Sequence, residues 1–429
     1  MIAFILSLVS NGKEGTDTQA RLFFKQARRI GLLDKSVKSV GRDTISKARK
    51  KLHWTVFRIL FDDVVQLSRD VWPNNNDFNY KGLSVYAIDG SQFTLPASKE
   101  LREDFDPESG FEYSGKGHFP QCLVSTIYDV FRRIPIARSI APINSSEREE
   151  AQKLIPSIPH GLLVFDRGYP SYEIFLFLQM NYSGFFLFRS PTSNTFPVVE
   201  QFISSRKKEI ILLISPSKNY KAKVCAEECK KLRPIAVRAL KVKNDAGQTI
   251  VLLTNLFDKK RHPIKEIEEL YRARWGVESH YRDEKVTCQI EQFHSRNSNG
   301  IRQEILASGV MSVIARILMV LSGNIIPYQH SLLQDNPKFI EENDPKKTIK
   351  ESQFAHAIKN LCNDAAALAA DNPEIAFKIL REVAKDIREV CYYRQKTRRP
   401  SQPRVNKSSP NKWMEGRQKK IKEYTRNEK

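Results

Sequence analysis

Between residues 83 and 190 the chain sets short apolar runs and helix-type stretches in one order, and that order constrains the fold more than any other feature. LSVYAID, CLVSTIYDV and IPIARSIAP are three strand-type runs in succession, each bounded by turn residues and too short for a helix of ordinary length. SSEREEAQKLIPSI follows, its Ser and acidic first turn marking a helix start. GLLVFD, SYEIFLFLQM and SGFFLFRS then read as strand, helix and strand. The order β-β-β-α-β-α-β predicts an α/β fold with a mixed sheet and helices on its faces.

The flanks read differently. TQARLFFKQARRIGLL and DTISKARKKLHWTVFRILFDDVVQL carry apolar residues at helical spacing with Lys and Arg between them; Gly41 marks a turn, and Asp43 or Thr44 is placed to cap the second helix. A basic second helix after a turn suits a DNA-contacting domain, although such helices also serve as plain solvated surface. EIILLIS, IAVRALKVK and TIVLLTNLF form a β-rich insertion, and a helix is expected from Pro263 to about Lys285. The apolar segment Glu304 to Ile326 has Arg316 in its middle, which favours a buried helix over a membrane span. MIAFILSLV is too short for export or spanning and reads as the start of a buried helix; a chain beginning further upstream would open in the same way.

Charge narrows the partner. Seventy Lys and Arg against 49 Asp and Glu leave a net +21 and a pI near 9.6, the balance of a protein that meets a polyanion, nucleic acid first. Residues 393–429 hold thirteen Lys or Arg against three Glu, a flexible basic arm in which Trp413 and Tyr424 could stack on bases. The six cysteines form no pair of pairs, so neither a disulfide framework nor a zinc site is indicated, and a cytoplasmic setting with reduced thiols is expected.

Two strand-type runs end in an aspartate with a glycine close behind: Asp89 before Gly90, and Asp166 two residues before Gly168. Ligands gather at strand ends in open α/β sheets, so the two acids can converge. Downstream, in YRARWGVESHYRDEK, the residues Tyr271, Arg274, Glu278 and Lys285 are spaced by three, four and seven. At about 100° per residue they fall within roughly 60° of one another on a helix. A solvated surface with i,i+4 pairs gives the same pattern, but Asp89 and Asp166 supply partners for Glu278. Three acids repel unless something positive holds them, and Mg²⁺ binds through carboxylates, water and phosphate. Two such ions about 3.5–4 Å apart serve phosphodiester hydrolysis and strand transfer. Arg274 and Lys285 are then placed for phosphates.

The Tyr-x2-Arg-x3-Glu-x6-Lys spacing, with Trp275 after the Arg, resembles the signature of bacterial insertion-sequence transposases of the fourth family. AIDGSQF and VFDRGYPSYEIF are similar to that family's two aspartate blocks. The resemblance implies a ribonuclease-H-like mixed-sheet catalytic core with a DDE triad, Asp89, Asp166 and Glu278, holding two Mg²⁺ ions that Mn²⁺ can replace. It implies an enzyme that binds terminal inverted repeats, frees a 3′-hydroxyl and joins it to target DNA, working as a homodimer in a synaptic complex. Tyr271, Arg274, Trp275, Lys285 and Arg189 would contact DNA. The chain then divides into a helical DNA-binding domain (1–78), the first part of the core (79–190), the β-rich insertion (191–262), the catalytic helix and end of the core (263–330), a helical C-terminal region (331–392) and the basic tail (393–429). Some relatives use a tryptophan of the insertion to hold a flipped base; the tryptophans here are Trp54, Trp72, Trp275 and Trp413, none of them in that segment. Phe196 or Phe202 would have to substitute. An inactive DNA-binding regulator and a host nuclease on the same fold are the competing readings.

Overall fold

The computed structural model describes residues 1–72, 78–107, 119–193, 195–243, 247–322, 349–370 and 372–394. The basic tail beyond Arg394, with Trp413 and Tyr424, lies outside them. Four helices lead: α1 (Ile2–Ser7), α2 (Thr16–Arg29), α3 (Arg42–Lys51) and α4 (Thr55–Val71). The single helix expected from Asp43 onward is thus two. The backbone becomes extended at Leu52 (φ −90°, ψ 111°), and Asn299 Oδ1 accepts from the Trp54 amide at 2.8 Å, holding the break. Helix α3 begins behind Gly41 with no side-chain cap, so neither Asp43 nor Thr44 has that role.

The alternating runs form β1 (Ser84–Thr94), α5 (Lys99–Phe105), β2 (Gln121–Asp129), β3 (Ile134–Pro142), α6 (Glu147–Leu154), β4 (Gly161–Phe165), α7 (Tyr172–Asn181) and β5 (Phe185–Ser190). β1 pairs antiparallel with β2 and parallel with β4, which pairs parallel with β5. Strands in the order β3-β2-β1-β4-β5, with the first three antiparallel, make the ribonuclease-H-like core. β4 is buried along its whole length, as a parallel strand covered on both faces should be.

The next segment holds α8 (Pro197–Ser204), β6 (Glu209–Ile214), α9 (Lys218–Lys223), α10 (Ala226–Lys231), β7 (Ile235–Lys243) and β8 (Thr249–Thr254). Its strands do not stack as a separate layer. β8 pairs with β5, and β7 and β6 follow, so the segment extends the core sheet to eight strands.

Helices α11 (Ile264–Ala273) and α12 (Trp275–Arg282) meet at Arg274, and a π-type turn, Asp283–Thr287, continues them. Helix α12 packs on β1 and β2. Helix α13 (Ser298–Leu321) is long and apolar enough to cross a membrane by length and composition, yet 83% of its most apolar stretch is buried inside the protein. It lies against α1, α4, β3, α14 (Phe354–Asn363) and α15 (Pro373–Glu389). A short ribbon, β9 (Ile349–Ser352) with β10 (Cys391–Arg394), closes the described chain. α3 is tied to α13 by a buried ion pair, Arg49 to Glu304, at 2.9 Å.

Candidate active site

Strand register brings the two aspartates together. The parallel ladder between β1 and β4 ends with Ile88 opposite Phe165, so Asp89 and Asp166 come next, side by side on strands about 4.8 Å apart. α12 is anchored over them by Tyr281, whose hydroxyl donates to the backbone oxygens of Asp89 and Val124, both at 2.9 Å. Asp166 follows the last residue of β4, but Asp89 is not the strand tip that Gly90 suggested: β1 continues to Thr94, paired with β2 throughout, and only its ladder with β4 ends there. Glu278 precedes Tyr281 by one turn and is thereby brought to the end of that ladder.

Arg274 links the acids. Its Nη2 donates to Glu278 Oε1 at 2.8 Å and lies 3.8 Å from Asp166 Oδ1. The Arg274 side chain is 5% exposed, while those of Asp166 and Glu278 are 40% and 39% exposed. Among the described residues, Arg274 Nε and Nη1 are buried without a hydrogen-bond partner. Burial alone would lower the guanidinium pKa, but Asp166, Tyr271, Asp89 and Glu278 together raise it. Tyr271 donates its hydroxyl to Asp166 Oδ1 at 3.2 Å. Burial first, with Asp166 adding and Arg274 and Arg189 opposing, pushes that phenol up to about 12.

Asp89 has too little positive charge around it. Burial, reinforced by Glu147 and Glu278 and opposed by Arg274, pushes its carboxyl up to about 7. Among the described residues no three Asp, Glu, His or Cys side chains stand close enough to share one ion as positioned; Arg274 spans two of the acids instead. The donor set nevertheless fits a hard divalent cation, being all carboxylate oxygen with two half-exposed members.

The remaining expected residues are spread around this centre. Arg189 is half-buried on β5, close enough to act on the Tyr271 hydroxyl. Trp275 is 56% exposed. Lys285 does not stay on the stripe. The π-type turn carries it to the end of β1, where Nζ bonds the backbone oxygen of Gln92, lies 5.0 Å from the centre of the Phe93 ring and pairs with Glu291. Phe196 and Phe202 are both buried.

Known proteins match this chain over the same segment. A family profile described as "Transposase DDE domain" matches residues 80–314, more than half of the chain. The chain belongs to the DDE transposase family. It is 23% identical over 295 residues to the transposase InsG for insertion sequence element IS4 of Escherichia coli (strain K12), covering 68% of this chain and 61% of InsG. It is 37% identical over 94 residues to y4zB of Sinorhizobium fredii (strain NBRC 101917 / NGR234), covering 22% of this chain and 26% of that one. The chain therefore spans less than two thirds of these relatives. A piggyBac transposase synaptic complex with hairpin DNA aligns with a TM-score of 0.35 and 11% identity over 89% of this chain and 82% of that one.

Two residues at this transposase centre escaped the sequence reading. Tyr281 lies in the same motif, ten residues after Tyr271, but its helical position points to the sheet and not to a ligand. Glu147 is the first of three glutamates within four residues, Glu147, Glu149 and Glu150, a pattern that reads only as a helix start.

Proposed function

We propose that this chain is the DNA transposase of a bacterial insertion sequence of the IS4 type, acting in the cytoplasm on nucleoid DNA. It binds the terminal inverted repeats, cuts beside them with Asp89, Asp166 and Glu278, and joins the freed 3′-end to target DNA as a homodimer in a synaptic complex. The observation that carries the reading is the register of β1 and β4, which sets Asp89 beside Asp166, with Glu278 joined to Asp166 through Arg274.

The three acids would hold two Mg²⁺ ions, replaceable by Mn²⁺, which when bound would activate the attacking oxygen and stabilise the leaving one. Arg274 has two buried donors to spare for a phosphate and a planar fork that suits one. Tyr271 would orient Asp166 through its hydroxyl. Arg189, Lys285 and the exposed Trp275 ring surround that centre and would follow the DNA strand. The N-terminal helices α1 to α4, with the exposed Lys50 and Lys51 in the last turn of α3, would supply a further DNA contact, whose affinity falls with salt as counterions are released.

The test is Mg²⁺-dependent cleavage of a duplex carrying the element ends, with wild type, Asp89→Asn and Glu278→Gln compared. The variants should cut at background while still retarding the duplex in a gel. If wild type cuts no better than they do, only binding remains.

A further inference from the structure

Gly90, directly after Asp89, is occupied from above by another side chain. A Cβ built on Gly90 would lie 2.8 Å from Cδ, 2.9 Å from Cγ and 3.0 Å from Oε1 of Glu147. Real Cβ atoms do not approach carboxylates so closely, so glycine at 90 is what admits this carboxyl group to the strand. Gly90 sits within β1, its partner being Ser125 of β2, and has no positive φ to require it.

The Glu147 carboxylate is also held from the other aspartate's side. Tyr169, buried three residues after Asp166, donates its hydroxyl to Glu147 Oε2 at 3.3 Å. The next residue of α6, Arg148, donates Nε and Nη2 to the backbone oxygen of Gly168, at 2.9 and 2.6 Å. The start of α6 thus clamps the turn that carries Asp166 while laying Glu147 over the residue after Asp89. An acid in the first turn of a helix is ordinary, and Glu150 in the same helix pairs with Lys153. Glu147 instead lies over Gly90, close enough for its charge to act on Asp89.

We propose that Glu147 is a fourth carboxylate of the cation site, which would hold a divalent cation together with Asp89, Asp166 and Glu278. The inference rests on the transposase reading and adds to it a residue from a different element. It gives Gly90 a chemical reason, since any side chain at 90 would displace a ligand. It also gives Tyr169 and Arg148 one: they fix the reach of Glu147 relative to Asp166, as outer partners commonly fix a ligating carboxylate.

The test uses Mn²⁺ as the probe, its binding followed by loss of the free-ion electron paramagnetic resonance signal in the full chain, with thermal unfolding measured in parallel. Glu147→Gln should weaken Mn²⁺ binding by about 10-fold with little change in the unfolding midpoint. Gly90→Ala keeps the carboxylate but moves it, and should weaken binding in the same direction. Asp89→Asn is the reference. If Asp89→Asn loses the ion while Glu147→Gln or Gly90→Ala binds it like wild type, Glu147 is no ligand and the transposase reading stands. If Asp89→Asn also binds like wild type, the cation site itself falls, and the inference with it.

Discussion

Arg138 and Glu284 form a two-armed ion pair at 2.8 and 2.9 Å with both side chains fully buried. Arg138 gives its other donors to Thr126 Oγ1, the Ile305 backbone oxygen and His280 Nε2, and Ser308 donates to Glu284 Oε1. One pair thereby joins β3, the π-type turn and α13, directly beneath the segment that carries Glu278 and Lys285. Breaking such a pair leaves an uncompensated buried charge, so Glu284→Gln should cost about 3–5 kcal/mol in urea unfolding. Replacing both residues by apolar ones of similar volume should recover much of that loss. A Glu284→Gln midpoint equal to wild type would show that the pair does not hold the turn.

Acid should weaken the fold in two successive windows. Burial holds the His280 imidazole neutral, its pKa lowered to about 4, with Glu284 opposing and Arg138 assisting; in the unfolded chain it takes a proton near 6.5. The folded value is the lower one, so this contribution is complete above pH 6.5 and is lost as pH falls from there towards 4. Burial would raise Glu304, but Arg49 and His294 hold it down at about 2. Its contribution is complete above the ordinary glutamate value and is lost as pH falls from about 4.3 towards 2. Asp89, raised to about 7, acts in the opposite sense over the upper range. The useful readout is therefore the difference in urea midpoint between wild type and His280→Gln, which should shrink as pH drops from 7 to 4. A constant difference would mean that His280 titrates normally.

The core strands were legible because period, turn residues and run length are local signals; the end of β1 was not, since Gly90 reads as a turn but the strand continues to Thr94 along β2. The eight-stranded sheet was not, because whether β8 pairs with β5 is decided by tertiary packing that no single run encodes. The stripe was legible only in part. Tyr271, Arg274 and Glu278 follow helical spacing, but one extra residue per turn at Asp283–Thr287 takes Lys285 off it. Within that turn Glu284 bonds Arg138, a residue 146 positions away, a contact that no local pattern announces. Glu147 stayed hidden for the same reason: the contact that marks it is with Gly90, across a strand order the sequence does not spell out.

Arg274 should not tolerate its usual replacement. One nitrogen, Nη2, is bonded to Glu278 and close to Asp166, while Nε and Nη1 of the same planar group are buried and left for a phosphate; a lysine ammonium is a single point on a flexible stem and cannot offer both sets. Arg274→Lys should reduce single-turnover nicking of end-bearing duplex by about 10²-fold, the loss typical of a preorganised donor. Tyr271→Phe removes only the hydroxyl bonded to Asp166, worth about 1 kcal/mol, so a loss of roughly 5-fold is expected. Equal losses in the two variants would mean that Arg274 acts through Tyr271 alone.

Gly309 sets how closely α13 approaches α4. A Cβ there would lie 2.8 Å from Cε2 and 3.0 Å from Cδ2 of Phe61, a fully buried ring. Alanine in a helix interior normally gains about 1 kcal/mol over glycine, but overpacking a filled core costs about 1–3 kcal/mol. Phe61 is fully buried and its ring is rigid, so the steric term should win and Gly309→Ala should lower the unfolding midpoint. Phe61→Leu alone should also destabilise, by leaving a void. The double variant should lose less than the sum of the two, because the smaller side chain makes room for the new methyl group. Strict additivity would show that the helices adjust elsewhere and that the Gly309 to Phe61 contact does not set their spacing.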